Sequence, residues 1–245
     1  SAPGTYITEG TGLALSVTDA GRLDGGITSE RIAFDKNYLR NVELRFDNSH
    51  DALFASILSS ELRAGTLAML NPAINAGAND NHLSLGVHYD NFSGTGGEAT
   101  IDLDGRLYRD EEGTLCVQAH PVGSYIMTGD DTWAFAPSDI LLHGKDIRLD
   151  NFLISNGAQQ LLVNGGISPD RSDTLSLKMD RFDLALIDEF LPEPIGIEGK
   201  VNGQASLHSG PDKTVGMLMD FRLDTLRLSG VDAGSMVLTS QWQNG

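Results

Sequence analysis

Apolar and polar residues alternate with a period of two along most of this chain. The longest run is Ile195-Gly-Ile-Glu-Gly-Lys-Val-Asn-Gly-Gln-Ala-Ser-Leu207. Its odd positions carry Ile195, Ile197, Gly199, Val201, Gly203, Ala205 and Leu207, and its even positions carry Gly196, Glu198, Lys200, Asn202, Gln204 and Ser206. Side chains alternate faces along a strand, so the segment has one apolar or bare face and one polar face. At ~3.3 Å per residue such a strand spans on the order of 43 Å. Gly199 and Gly203 lie on the apolar face, where a missing side chain permits a bend or a close approach.

The same alternation recurs on both sides of this segment. Leu13, Leu15 and Val17 lead into the turn chemistry of Asp19–Gly26, followed by Ile32 and Phe34, then Val42, Leu44 and Phe46. Leu83, Leu85, Val87 and Tyr89 alternate strictly; Ile101, Leu103 and Leu107 lead through Asp110–Gly113 into Leu115, Val117 and Ala119. Ile147 and Leu149 precede Leu161, Val163 and Ile167, and then Leu175, Leu177 and Met179. The phase slips before Phe182, Leu184 and Leu186, which predicts a bulge or a short helical turn around Ala185–Leu191, closed by Pro192 and Pro194. Met217, Met219, Phe221 and Leu223 slip again to Leu226 and Leu228, and Met236, Leu238 and Trp242 close the pattern.

Residues 49–63 break the period. Leu53, Ile57, Leu58 and Leu62 stand at helical spacing behind the cap candidates Asp47, Asn48 and Ser49, and predict one amphipathic helix. Ala64 to Ala76 is mixed, with Pro72 arguing for an edge or a break, and residues 121–139 read as a crossing loop anchored by Tyr125, Trp133 and Phe135. The expected fold is all-β: a long, curled, largely antiparallel sheet with an open groove of hydrophobic interior and one short amphipathic helix. Residues 1–245 read as a single continuous segment, with a possible border near 121–139. Asn164-Gly165 and Asn202-Gly203 are open to two readings, a hairpin turn or a bend in a continuing strand.

Composition narrows the function. Aromatics are 7% against 40% apolar, so the buried surface must be aliphatic. The net charge of −17 repels phosphate backbones, and no nucleic-acid partner is expected. No run approaches a bilayer span, so no membrane span is expected in this segment, and the stretch given does not read as a signal peptide. The chain begins Ser-Ala-Pro and stops within a strand-like pattern, so it is expected to be an internal piece of a longer protein. Cys116 is the one cysteine; it is expected to be a buried small hydrophobe, with no intramolecular disulfide and no cysteine-based metal site.

Local motifs for chemistry fail on context. His50, His82, His88, His120, His143 and His208 are scattered singly, and no metal site is expected. Gly94-x-Gly96-x-x-Ala99 precedes a strand rather than a helix, so it reads as a hairpin loop and not a dinucleotide fingerprint. Ile101-Asp-Leu-Asp-Gly105 lacks the remaining ligand spacing of a calcium loop. Carboxylate pairs for glycoside hydrolysis are set in three dimensions, and no local pattern points to them. The chain is read as a non-enzyme without a cofactor.

Several phrases together resemble one family. Thr132-Trp-Ala-Phe-Ala-Pro-Ser-Asp-Ile140, Ile147-Arg-Leu-Asp-Asn-Phe-Leu-Ile-Ser155, Leu162-Val-Asn-Gly-Gly-Ile-Ser168, Leu175–Leu184 with Phe190-Leu-Pro192, Gly199-Lys-Val-Asn-Gly203 and Gly230-Val-Asp-Ala-Gly234 are similar to the TamB translocation-and-assembly-module family (AsmA-like superfamily) in its Bacteroidetes-type form. The likeness runs from about Thr132 to Trp242 and is thinner before that, where Phe46-Asp-Asn48 and Tyr89-Asp-Asn91 fit. It implies a curled sheet with a hydrophobic groove in the periplasm, in a parent anchored in the inner membrane by a segment not present here. It further implies phospholipid movement between inner and outer membrane, and outer-membrane protein assembly with a BamA-like partner.

The residues agree on the physical point, because an aliphatic sheet face must be covered or must offer a groove that acyl chains can fill. The expected lining is Leu161, Val163, Ile167, Leu175, Leu177, Met179, Ile195, Ile197, Val201, Leu207, Met217, Met219, Phe221 and Leu223. Two alternatives stand beside the lipid conduit: a scaffold whose strand edges accept a substrate strand, and a closed β-sandwich binding module.

Overall fold

In the computed structural model, residues 5–7, 10–18, 21–35, 37–48, 52–64, 67–90, 97–169, 172–189, 195–210 and 215–244 are described. They form antiparallel strands with almost no helix, so the protein is all-β. In chain order the strands are β1 (Thr5–Ile7), β2 (Gly12–Val17), β3 (Leu23–Phe34), β4 (Asn37–Asp47), β5 (Leu53–Leu58), β6 (Glu61–Ala64), β7 (Leu67–Asn79), β8 (His82–Asp90) and β9 (Glu98–Arg109). There follow β10 (Leu115–Pro121), β11 (Tyr125–Thr128), β12 (Asp131–Phe135), β13 (Asp139–His143), β14 (Asp146–Asn156), β15 (Gln159–Ile167) and β16 (Asp173–Asp183). The helix α1 (Leu184–Glu189) precedes β17 (Ile197–Ser209), β18 (Val215–Leu228) and β19 (Val231–Asn244). The chain divides into two compact units, residues 1–105 with 123–131, and residues 106–122 with 132–245.

In the first unit β2 pairs with β3, β3 with β4, and β7 with β8. Between β4 and β7 lies what is in effect one strand broken at Ser59-Ser60. Its halves β5 and β6 keep one register with β4 (Glu43 opposite Leu58, Arg40 opposite Glu61) and one with β7 (Leu58 opposite Ala73, Glu61 opposite Leu70). This corrects the helix expected over 49–63: of that stretch, 52–63 is described and is extended, and the helix of the described residues is α1 instead. The helical spacing of Leu53, Ile57, Leu58 and Leu62 came from the break, which lets apolar residues change faces. Ladders along both edges then outweigh any local helix preference.

The break is stitched by polar groups. The Ser59 hydroxyl donates to the Arg40 carbonyl at 2.6 Å, the Ser59 amide to the Pro72 carbonyl at 3.0 Å and the Asn71 amide to the Ser60 carbonyl at 3.1 Å. Asn41 and Asn71, on either side, hold φ of 48° or less in the left-handed region that asparagine tolerates best among side-chain-bearing residues. Pro72 therefore sits in an interior strand at a register shift, where its missing N–H costs no ladder bond. The same unit holds Tyr38, whose hydroxyl donates to Glu61 Oε1 at 2.7 Å. That hydrogen bond first, and then the charges of Arg40 and Arg63, keep the Glu61 carboxyl below its ordinary range.

In the second unit β13 pairs with β10 and β14, and β14 through β19 form a meander in which each strand pairs with the next. Residues 121–139 are not a crossing loop: they contain β11, which belongs to the first unit and pairs with β9, and β12, joined to it through Gly129 with φ of 57°. β12 pairs with the end of β14, Ala134 opposite Ser155. The aromatic anchor is real, since Trp133 is 1% exposed with its ring centroid 5.1 Å from that of Phe182. The long strand begins at Ile197, two residues later than its alternation implied, because the amides of Ile195 and Gly196 are taken by the Asp188 carboxylate of α1 at 2.9 and 3.1 Å.

A depressed carboxyl pKa contributes stability above the unfolded value that is lost as pH falls through the folded one. The stability gap between the parent and Tyr38→Phe should therefore be present at neutral pH. In denaturant titrations it should shrink below about pH 4, as Glu61 protonates.

Candidate functional site

The registers of the second unit gather apolar side chains from distant segments into rows across the strands. One row is Ile154, Leu161, Met179, Gly203, Phe221 and Leu238. The next is Phe152, Val163, Leu177, Ala205, Met219 and Ser240, and a third is Leu149, Gly165, Leu175, Leu207, Met217 and Trp242. Six strands at ~4.8 Å give each row a length on the order of 24 Å between its outer strands. The opposite face carries Asn164, Ser176, Lys178, Gln204, Ser206, Asp220 and Arg222, with Leu162 and Leu218 among them.

The apolar phase slips along β14, β16 and β18, so keeping one face apolar there requires bulges, and they follow one sequence phrase. Ile147-Arg-Leu-Asp-Asn-Phe-Leu-Ile154, Leu177-Lys-Met-Asp-Arg-Phe-Asp-Leu184 and Phe221-Arg-Leu-Asp-Thr-Leu-Arg-Leu228 each place an Asp before a left-handed residue, namely Asn151 (φ 54°), Arg181 (φ 47°) and Thr225 (φ 53°). The register shifts between Leu149 and Phe152, between Met179 and Phe182, and between Leu223 and Leu226. The extra residue turns the strand by half a period, so Phe152, Phe182 and Leu226 return to the apolar face. This repeat was readable in the sequence as the shared phrase; the phase slips alone do not reveal it.

The Asn-Gly pairs answer these bulges. Asn164 Oδ1 accepts the Asn151 amide at 3.0 Å, and Asn202 Oδ1 accepts the Arg181 amide at 2.9 Å. Both dipeptides lie inside β15 and β17, so the continuing-strand reading holds and the hairpin reading does not. The glycine that follows sits on the apolar face. A Cβ at Gly203, whose φ is 144°, would run into the Asp220 carbonyl oxygen and come within 2.8 Å of the Phe221 ring. The ring of Phe221 thus covers the bare backbone of Gly203 and fills the gap in its row.

One end of the apolar face is closed. Leu184 of α1 packs with Val201, Leu223 and Leu226 into a buried cluster flanked by Met179, Ile197 and Phe221, and the Trp133–Phe182 pair lies at the same end. Val201 at 4% and Leu223 at 8% exposure are therefore core. Leu161, Val163, Ile167, Leu175, Leu177, Met179, Ile197, Leu207, Met217, Met219 and Phe221 are half-buried. Ile195 precedes β17 and is exposed. On β19, Met236, Leu238 and Trp242 are exposed, Trp242 at 49%.

The expected lining stopped short of the first unit, where the registers build a row of the same kind: Leu13, Ile27, Leu44, Ile57, Ile74 and Val87. Phe46 there lies over Gly25 as Phe221 lies over Gly203. The alternation at Leu13–Val17, Val42–Phe46 and Leu83–Tyr89 carried that signal. On the polar side of the second unit, Asn164, Lys178, Gln204, Asp220, Thr239 and Gln241 border a shallow depression of about 740 Å³. The hairpin loop expected around residues 93–96 lies outside the described residues.

Asn164→Ala and Asn202→Ala should each cost about 1 kcal/mol in denaturant unfolding, and the double variant about their sum, because the two bulges share no partner. Gly203→Val should cost about 2 kcal/mol or more, from strained φ and the collision with β18. Gly216→Ala, whose Cβ would meet nothing nearer than 3.5 Å, should stay within about 0.5 kcal/mol of the parent.

Among the described residues no helix is long and apolar enough to cross a membrane. No family model, no curated protein and no solved structure matches this chain.

Proposed function

We propose that the half-buried apolar face of β14–β19 is a binding track for acyl chains, and that the chain is a segment of a TamB-like periplasmic bridge carrying phospholipid between inner and outer membrane. The observation that supports this most is the set of aliphatic rows. They span six strands, thinned at Gly165 and Gly203 and ending on Ser240 in one row, are closed at one end by α1 and Trp133, and leave Leu175, Leu207 and Met217 half-buried at the other. Leu, Val and Met side chains tolerate many chain conformations, and each buried methylene contributes roughly 0.8 kcal/mol. The phrases resembling the TamB family coincide with β12–β19, the same part of the chain that builds the rows.

A second reading rests on β19. Among the described residues of the second unit this strand of 14 residues pairs only with β18, and its side chains are almost all exposed. Such an edge suits acceptance of a strand from an outer-membrane protein being assembled with a BamA-like partner. The half-buried rows favour a closed sandwich less, since a sealed inner face buries its aliphatic side chains.

A charge in the middle of the track separates these readings. Val201 is unsuitable, because its substitution would break the core under α1; Leu177→Glu changes a half-buried row position instead. After incubation with phosphatidylethanolamine–phosphatidylglycerol vesicles, the parent should retain phospholipid by mass spectrometry of organic extracts. Leu177→Glu, folded by circular dichroism, should retain at least about tenfold less, because a carboxylate against acyl chains costs several kcal/mol. Equal retention by both proteins, or none by the parent, would defeat the track.

A further inference from the structure

Three segments of the second unit bring a thiol, an imidazole and a carboxylate to one point. Cys116 of β10 and His143 of β13 stand directly opposite in the antiparallel ladder, which puts their side chains on the same face about 5 Å apart at Cβ. Asp110 closes the group from the hairpin that joins β9 to β10. Its Oδ1 accepts the amides of Glu112 and Thr114 at 3.0 and 2.8 Å, and its Oδ2 lies 2.7 Å from His143 Nε2. One donor atom from each of the three residues lies within 4.8 Å of the others.

We propose that Asp110, Cys116 and His143 form a binding site for one borderline transition-metal cation, Zn²⁺ above all. The donor set selects the metal: a thiolate and an imidazole suit Zn²⁺, whereas Mg²⁺ and Ca²⁺ call for oxygen alone. The spacing suits it as well. Metal–ligand bonds of about 2.0–2.3 Å in a tetrahedron hold donors roughly 3–4 Å apart, within reach of side-chain rotation from the separations here. Burial excludes the rival use of these groups. Cys116 is 3% exposed and closed to any bulky electrophile, while the His143 side chain is 54% exposed and gives a small ion its entry. The thiol makes only a weak contact to the Thr114 carbonyl, at 3.5 Å, which a metal bond readily replaces. On binding, the S–H bond breaks, sulfur bonds to the cation and the proton passes to solvent. Three protein ligands leave a fourth position for water. The net charge of −17 favours the approach of any cation.

The test is a titration of the purified chain with Co²⁺, displaced afterwards by Zn²⁺, in the absence of lipid. Co²⁺ reports a cysteine ligand directly through a thiolate charge-transfer band. The parent should take one equivalent with that band, lose it on adding Zn²⁺, and release protons in the process. Cys116→Ser should bind without the band. His143→Ala, at an exposed position that does not threaten folding, should bind about tenfold or more weakly. Absence of the band in the parent overturns the site, and so does a His143→Ala affinity within tenfold of the parent's, since the ion then rests elsewhere on the acidic surface.

Discussion

A strand's side chains change faces with every residue, so a sequence whose apolar phase slips can keep one face apolar only by inserting a residue. The second unit inserts a residue at Asn151, Arg181 and Thr225, and the apolar face of β14–β19 depends on those insertions. At Asn151 and Arg181 the neighbouring strand supplies an asparagine oxygen. Without that acceptor the left-handed conformation would combine backbone strain with a poorly paired N–H. The aspartate that precedes each bulge pairs with an arginine at all three sites, through Arg148–Asp150 at 2.9 Å, Arg222–Asp224 at 3.0 Å and, more loosely, Arg181–Asp180 at 3.6 Å. These exposed pairs add little energy singly, but they orient the polar side of the bulge.

The apolar face inherits its character from this arrangement. Because the bulges restore the phase, Leu226 joins Leu184 in a core and Phe182 packs on Trp133 at the same end, while the side chains of the rows beyond stay half-buried. Gly203 and Ala205 thin the middle of the rows at β17, and Phe221 fills the gap over Gly203.

How much of this could be read from the sequence depended on the range of the signal. Strict alternation, as in Leu83–Tyr89 or Met217–Leu223, marked strands correctly because period two is a local property. The bulges near Phe182 and Leu226 were readable as phase slips. Within residues 49–63 the interruption at Ser59-Ser60 imitates helical spacing, and only the ladders to β4 and β7 decide the matter. The strands β11 and β12 were hidden by the glycine and proline content around them. Asp110, Cys116 and His143 were judged one at a time, since nothing local says that β10 will pair with β13.

The coupling between a bulge and the asparagine of the following strand has a consequence for how such a chain can change in length. In β14 with β15, and again in β16 with β17, the left-handed residue's amide is answered by an asparagine inside the pair. The phrases beginning at Ile147, Leu177 and Phe221 are spaced unevenly, yet each makes the same bulge. Duplication or deletion of a whole pair would leave the flanking ladders with edges they already fit. The fold is thus extensible by hairpins, as masonry is by courses, and variation in reach need not disturb the face that runs along it.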